Sequence, residues 1–181
     1  MSIQGKRLRL RAIERTDIPT FVRWFNDPEV RKYLQMLMPM SLAQEERWFE
    51  AQLGDQGRHI FGIEALDGKL IGNIGLESIN WKNSNAVLGI VIGEKDYWGQ
   101  GYGSEAIITL LNFVFTQMNL HRVSLTVYEY NQRALHCYEK CGFKLEGCMR
   151  EGRFHDGKYH DELIMGVLRD EFLSARASLN P

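Results

Sequence analysis

Gly93-Glu-Lys-Asp-Tyr-Trp-Gly-Gln-Gly-Tyr-Gly-Ser-Glu-Ala106 lies between a β-branched run and an amphipathic segment, so a strand enters it and a helix leaves it. Gly99, Gly101 and Gly103 alternate with Gln100 and Tyr102, so the backbone can turn tightly and leave several N–H groups clear of side chains. Downstream, Ala106, Ile107, Leu110, Leu111 and Val114 recur at helical spacing. The glycines therefore open a helix N-terminus, where orphan N–H groups and the macrodipole favour an anion. The expected ligand carries a phosphate or pyrophosphate; the plain competitor is a glycine-rich turn. A P-loop needs Gly-Lys-Ser or Gly-Lys-Thr after its glycines, and a dinucleotide fingerprint needs glycine where Ser104 stands. Neither condition is met.

Around this stretch the chain of 181 residues is long enough for one well-buried domain, and no linker or repeat divides it, so one domain over 1–181 is expected. A net charge of -1 with both signs mixed throughout excludes a broad basic face, and no nucleic-acid partner is expected. The start, Met1 to Arg7, lacks the apolar core of a signal peptide, and no apolar run reaches membrane-spanning length. A cytoplasmic protein without a membrane partner is expected. Cys137, Cys141 and Cys148 read as reduced thiols; there is no Cys-x-x-Cys, and His136 and Cys137 fall on different helix faces, so no metal is expected.

Taken in order, Arg7–Ile13 alternates Leu8, Leu10 and Ala12 with Arg7, Arg9 and Arg11, a first strand with one wet face. Thr16 is read as the cap of a short helix with Phe21, Val22, Trp24 and Phe25 on its apolar side, and Asp27-Pro28 starts another. Gln35-Met-Leu-Met-Pro-Met40 is apolar and broken by Pro39. It reads as a loop whose methionines either wall a pocket or fill gaps in the core. Ser41 and Gln44 form a capping box for a helix to Leu53 that turns Leu42, Trp48, Phe49 and Leu53 inward. Strands follow at Ile60–Leu66, Leu70–Leu76 and Ala86–Ile92, the first two joined by Asp67-Gly68. After the glycine helix come a strand at Arg122–Tyr128, requiring a parallel pairing, and a helix capped by Asn131 and stopped by Gly142. Strands at Phe143–Met149 and Tyr159–Leu168 and a frayed helical tail from Asp170 to Pro181 complete the chain.

The glycine stretch resembles the acyl-CoA loop of the GNAT N-acetyltransferases, whose pattern is Gln or Arg, two residues, Gly, one residue, then Gly or Ala. Gly101 and Gly103 match, while Trp98 stands in the Gln/Arg position. Tyr97 to Ala106 is similar to the RimJ/RimL and polyamine acetyltransferase branches. Asn131-Gln-Arg-Ala-Leu-His-Cys-Tyr-Glu-Lys-Cys-Gly-Phe143 resembles the family's second motif, and Leu145–Arg150 and Asp156–Asp161 resemble the ends of RimJ/RimL-type chains. The resemblance implies an α/β (α+β) fold with a mixed, mostly antiparallel sheet of about seven strands. These are splayed between the fourth and fifth strands and flanked by about four helices. It implies acetyl-CoA as cosubstrate, held by Val91, Ile92, Gly93, Trp98, Gly99, Gln100, Gly101, Tyr102, Gly103, Ser104, Asn131 and Ala134.

The implied chemistry sets requirements of its own. An amine of pKa about 10.4 is mostly protonated at neutral pH and must lose a proton before it attacks the thioester. Glu77, at the end of an apolar strand, is the first candidate base, with Glu94 and Asp161 behind it. The departing thiolate needs a proton, and Tyr138 matches the tyrosine to which the family assigns that role; packing in the core is its plain alternative. Trp24, Met36 and Met38 precede the cofactor half, as acceptor-binding elements do in the family, and are candidates for the amine pocket. The activity expected is direct acetyl transfer to a primary amine: a peptide N-terminus, polyamine, amino sugar or aminoglycoside. A non-catalytic CoA-binding sensor on the same fold is the alternative. A homodimer is also compatible with the family.

Overall fold

Leu8 and Leu10 are fully buried while Arg9 between them is exposed, so the period-2 pattern of the first long strand follows from one face meeting the core. A computed structural model of the protein describes residues 2–178, and among them are eight strands and six helices. The strands are β1 Ser2–Gln4, β2 Leu8–Ala12, β3 His59–Ala65, β4 Leu70–Asn80, β5 Asn85–Ile92, β6 Arg122–Tyr128, β7 Lys144–His155 and β8 Lys158–Leu168. The helices are α1 Ile18–Asn26, α2 Pro28–Arg31, α3 Leu42–Gln52, α4 Tyr102–Thr116, α5 Gln132–Lys140 and α6 Arg169–Ala177. Strand order is β1-β2-β3-β4-β5-β6-β8-β7, a mixed, mostly antiparallel sheet, as the resemblance implies. The eighth strand is β1, too short to show an alternation. Beyond the four or so helices that the resemblance implies are the single turn α2 and the tail helix α6, both read from the sequence; the predicted extension of α6 over residues 179–181 lies outside the described residues.

The residues gather into two compact units: those up to Glu77 with Gly89–Leu110, and Ser78–Leu88 with those from Leu111 on. In the first, β1 to β4 form an antiparallel meander with Leu10 opposite Ile63. Gly68, at φ +85, closes the β3–β4 turn, a conformation glycine adopts without strain. Gly72 lies against the carbonyl of Val91, where any Cβ would overlap the oxygen. Phe21, Trp24, Phe25 and Val30 form a buried aromatic cluster, closed by Met36, Met40, Trp48, Val91 and Trp98.

Two predicted local features of this unit are corrected. Thr16 is not a cap: a 3-10 turn over Arg15–Asp17 precedes α1, with Glu14 as its cap and Asp17 in a reciprocal box. Arg11 pairs with Asp17 and Glu64, which fixes that turn on β2. On α3 the Ser41/Gln44 capping box is present, but the buried face is Glu45 and Phe49, with Leu42 and Leu53 exposed.

In the second unit the start of β5 pairs in parallel with β6, Asn85–Val87 against Arg122–Ser124. β6 pairs antiparallel with β8 from Arg122 to Tyr128. β7 and β8 form a longer hairpin than the sequence predicts, closed by Asp156 and Gly157, whose φ of +49 and +77 are those of a type I′ turn. Asn131 caps α5, Gly142 at φ +96 ends it, and Phe172 of α6 packs on Phe115 at 5.5 Å between ring centres.

Candidate active site

The glycine loop begins where β5 ends. Gly93 is buried flat under the indole of Trp24, and a Cβ there would overlap the ring. A 3-10 turn over Lys95–Tyr97 follows, and Trp98 donates its indole N–H to the carbonyl of Ile92 at 2.7 Å, closing the loop on itself. Gly99 and Gly101 have φ of +72 and +84, whereas Gly103 lies in the first turn of α4. Only the first two therefore require glycine for their backbone conformation. Gly99, Gln100 and Gly101 are exposed, and nothing stands within 4 Å of where a Cβ of Gly99 would be. The result is an open backbone cradle leading into a helix of 15 residues, which fits a pyrophosphate.

Glu94 accepts a hydrogen bond from the Trp24 indole at 2.8 Å and is paired with Arg23 and with Lys69, the latter at 3.2 Å. Burial pushes its pKa up, but the bonds from Trp24, Arg23 and Lys69 outweigh this and hold the carboxyl below its ordinary range. It is an ionised anchor of α1 and β4 on the loop, and a poor acceptor for an amine proton. Trp24 is 2% exposed, its indole lying over Gly93. Met36 packs against the buried cluster of Phe21, Trp24, Phe25 and Val30, whereas Met38 is 70% exposed. Their loop is held by Asn26, which both donates to and accepts from the backbone of Met40, and by Arg31, which donates to the carbonyls of Met36 and Leu37.

Glu77 is half-exposed with Arg58 at 3.8 Å, and Ser78 after it takes φ +51. In the second unit the side-chain oxygen of Asn131 accepts from the N–H of Ala134 at 3.2 Å. Tyr138, on the next turns of α5, is buried with its ring edge-on to Phe143. Burial, with Cys137 and Cys141 adding to it, raises its pKa well above that of an ordinary phenol. Among the described residues its hydroxyl has no hydrogen-bond partner. Asp161 accepts from the N–H of Glu151 at 2.9 Å and from the Cys148 thiol at 3.4 Å. Those two bonds hold its pKa down despite a small opposing effect of burial, so it too is a poor base.

Three side chains the sequence reading passed over belong to this picture. Arg23 and Lys69 neutralise Glu94, and Arg7, read as one of three arginines on a wet face, reaches the glycine loop. Local pattern carries no signal for them, since each partner is more than twenty residues away along the chain. Among the described residues no group of His, Cys, Asp and Glu could hold a metal ion, and no helix is long and apolar enough to cross a membrane.

Residues 7–144 match the family model of the acetyltransferase (GNAT) domain. The SPbeta prophage-derived uncharacterized N-acetyltransferase YokL of Bacillus subtilis is 31% identical over 93% of this chain and 93% of its own. Spermidine N(1)-acetyltransferase of Vibrio cholerae is 31% identical over 94% of this chain and 98% of its own. The crystal structure of spermidine N-acetyltransferase from Vibrio cholerae in complex with CoA and spermine superposes with a TM-score of 0.87, covering 92% of this chain and 98% of that one at 31% identity.

Proposed function

The chain belongs to the GNAT acetyltransferases, and on that premise we propose that it moves an acetyl group from acetyl-CoA to a primary amine by direct transfer in one ternary complex. The observation that carries the reading is the cradle: Gly99 and Gly101 at positive φ opening α4. Acetyl-CoA supplies the activated acetyl thioester. Backbone N–H groups of the loop hold its phosphates, while Val91, Ile92, Gly93 and Trp98 form the wall from which the loop springs. Tyr138 donates the proton the departing thiolate needs, supported by a hydroxyl without a hydrogen-bond partner among the described residues and by its place on the helix that Asn131 caps. Glu77 is the proposed acceptor of the amine proton, since Glu94 and Asp161 are held ionised by bonds of their own. Neither Cys137 nor Cys141 stands beside a base that the motif supports, which favours direct transfer over an acetyl-enzyme. The thiols are those of a reducing compartment, in keeping with the cytoplasm.

The relatives named for spermidine put polyamines first among acceptors. A second reading, an amine with an apolar body such as a peptide N-terminus, is favoured by Leu37 and Met38. They stand 79% and 70% exposed on a segment, Gln35–Met40, without an acidic side chain to meet a polycation. Release of free CoA thiol from acetyl-CoA, followed across spermidine, spermine, Met-initiated peptides, amino sugars and aminoglycosides, tests both readings. Amine-dependent release is expected. Acetyl-CoA binding without release for any amine would favour the sensor instead.

A further inference from the structure

We propose that Arg7 is a cofactor-binding residue, its guanidinium donating to a phosphate of acetyl-CoA at the glycine loop. The inference rests on the acetyl-CoA reading above. In this loop the position that the resemblance reserves for Gln or Arg is held by Trp98, whose single N–H is donated to Ile92. A cation arrives instead from the turn before β2. The backbone N–H of Arg7 donates to Glu105 Oε1 at 2.6 Å, its Nε to Glu105 Oε2 at 2.8 Å, and its Nη1 to the carbonyl of Gln100 at 3.1 Å. The guanidinium lies over the Tyr102 ring, 4.5 Å from its centre. Three side-chain contacts thus fix a group that is otherwise among the most mobile, and they fix it on the loop.

The donor count shows what is left over. Arginine carries five N–H groups in a planar fork, and carboxylate, carbonyl and ring engage one side of this one. Among the described residues Nη2 makes no hydrogen bond, and it lies 3.4 Å from where a Cβ of Gly101 would stand. Gly101 is the exposed glycine at the mouth of the cradle, and the Arg7 side chain is itself 48% exposed. Two donors therefore face the place where the loop offers its backbone N–H groups. Glu105, in the first turn of α4, would repel an anion there, and its pairing with Arg7 removes that repulsion. Arg7 thus acts as the charged wall of the cradle as well as the partner of Glu105.

Calorimetric titration of the full chain separates these roles, with acetyl-CoA, 3′-dephospho-acetyl-CoA and S-acetylpantetheine as probes. Arg7→Gln is expected to weaken acetyl-CoA about tenfold, as for loss of a charge-assisted hydrogen bond. Binding of S-acetylpantetheine, which has no phosphate, should not change. A loss that persists with the dephospho probe assigns the contact to the pyrophosphate, and one that disappears assigns it to the 3′-phosphate. Arg7→Gln/Glu105→Gln removes both charges, so it also serves if the single variant does not fold with Glu105 unpaired, and it should remain weak. Wild-type affinity in the double variant, an unchanged affinity in Arg7→Gln, or equal loss for S-acetylpantetheine would make Arg7 an ion-pair residue only. Failure of the wild-type protein to bind acetyl-CoA at all would instead overturn the reading on which the proposal rests.

Discussion

A phenol among apolar side chains holds its proton more firmly than one in water, and Tyr138 is in that situation. A donor to a thiolate has to be protonated before the reaction, as any phenol of pKa about 10 or above is across the neutral range. Tyr138→Phe keeps the ring and its edge-on packing with Phe143 but deletes the transferable proton. Turnover is expected to fall by about 10² to 10⁴, in kcat and kcat/KM alike, with acetyl-CoA affinity unchanged. A Phe variant with full turnover and a lowered melting temperature would return Tyr138 to a packing role. Residues of this kind are legible in sequence because they are tied to a local pattern: Tyr138 to the capped helix after Asn131, Gly99 and Gly101 to a strand–turn–helix. Arg7 was not legible, because what distinguishes it from Arg9 and Arg11 is a partner 98 residues away.

Elements show the same division between local signal and distant partner. Strand alternation, the Asp67-Gly68 and Asp156-Gly157 turns and the Ser41/Gln44 box were read correctly, since each is set by neighbours in the chain. The inward face of α3 is legible only in part: Trp48 and Phe49 do turn inward, but Leu42 and Leu53 are exposed and packing against α1 turns Glu45 inward in their place. The methionine loop, open to two readings in the sequence, divides between them. Met36 packs against the aromatic cluster, and Met38 stands in solvent. Met36→Ala should lower stability by roughly 1–2 kcal/mol, less than for a fully buried methionine. Met38→Ala should leave stability within about 0.5 kcal/mol and raise the KM of the amine while sparing acetyl-CoA affinity. Chemical denaturation with acceptor kinetics checks both; equal stability losses would mean that Met38 packs in the core as well.

Two opposed sets of carboxyls govern how the whole molecule responds to pH. Glu64, Glu94 and Glu105 are partly buried, which raises their pKa values, but bonds from Arg11 and Arg9, from Trp24, Arg23 and Lys69, and from Arg7 lower them further. Their contribution is present above the unfolded value of 4.5 and is lost as pH falls through the depressed folded values. Glu45 behaves in the opposite sense. It is 2% exposed, its Oε1 has no hydrogen-bond partner, and burial alone raises its pKa to about 7. Its neutral form suits the fold, so the stability it allows is complete below 4.5 and declines as pH rises to about 7, where the buried group ionises. A shift of that size corresponds to roughly 3 kcal/mol, or about 5–10 °C in Tm for a chain of this length. Melting temperature should therefore be highest near the unfolded carboxyl pKa, falling on the acid side and also as pH rises towards 7. Glu45→Gln should flatten the limb between pH 5 and 8 and leave the acid limb in place, since the amide cannot ionise and the other three carboxyls are untouched. The slope is the deciding quantity, because a simple packing defect would displace the curve without changing its shape. Parallel curves for the two proteins would mean that Glu45 titrates normally in the folded state.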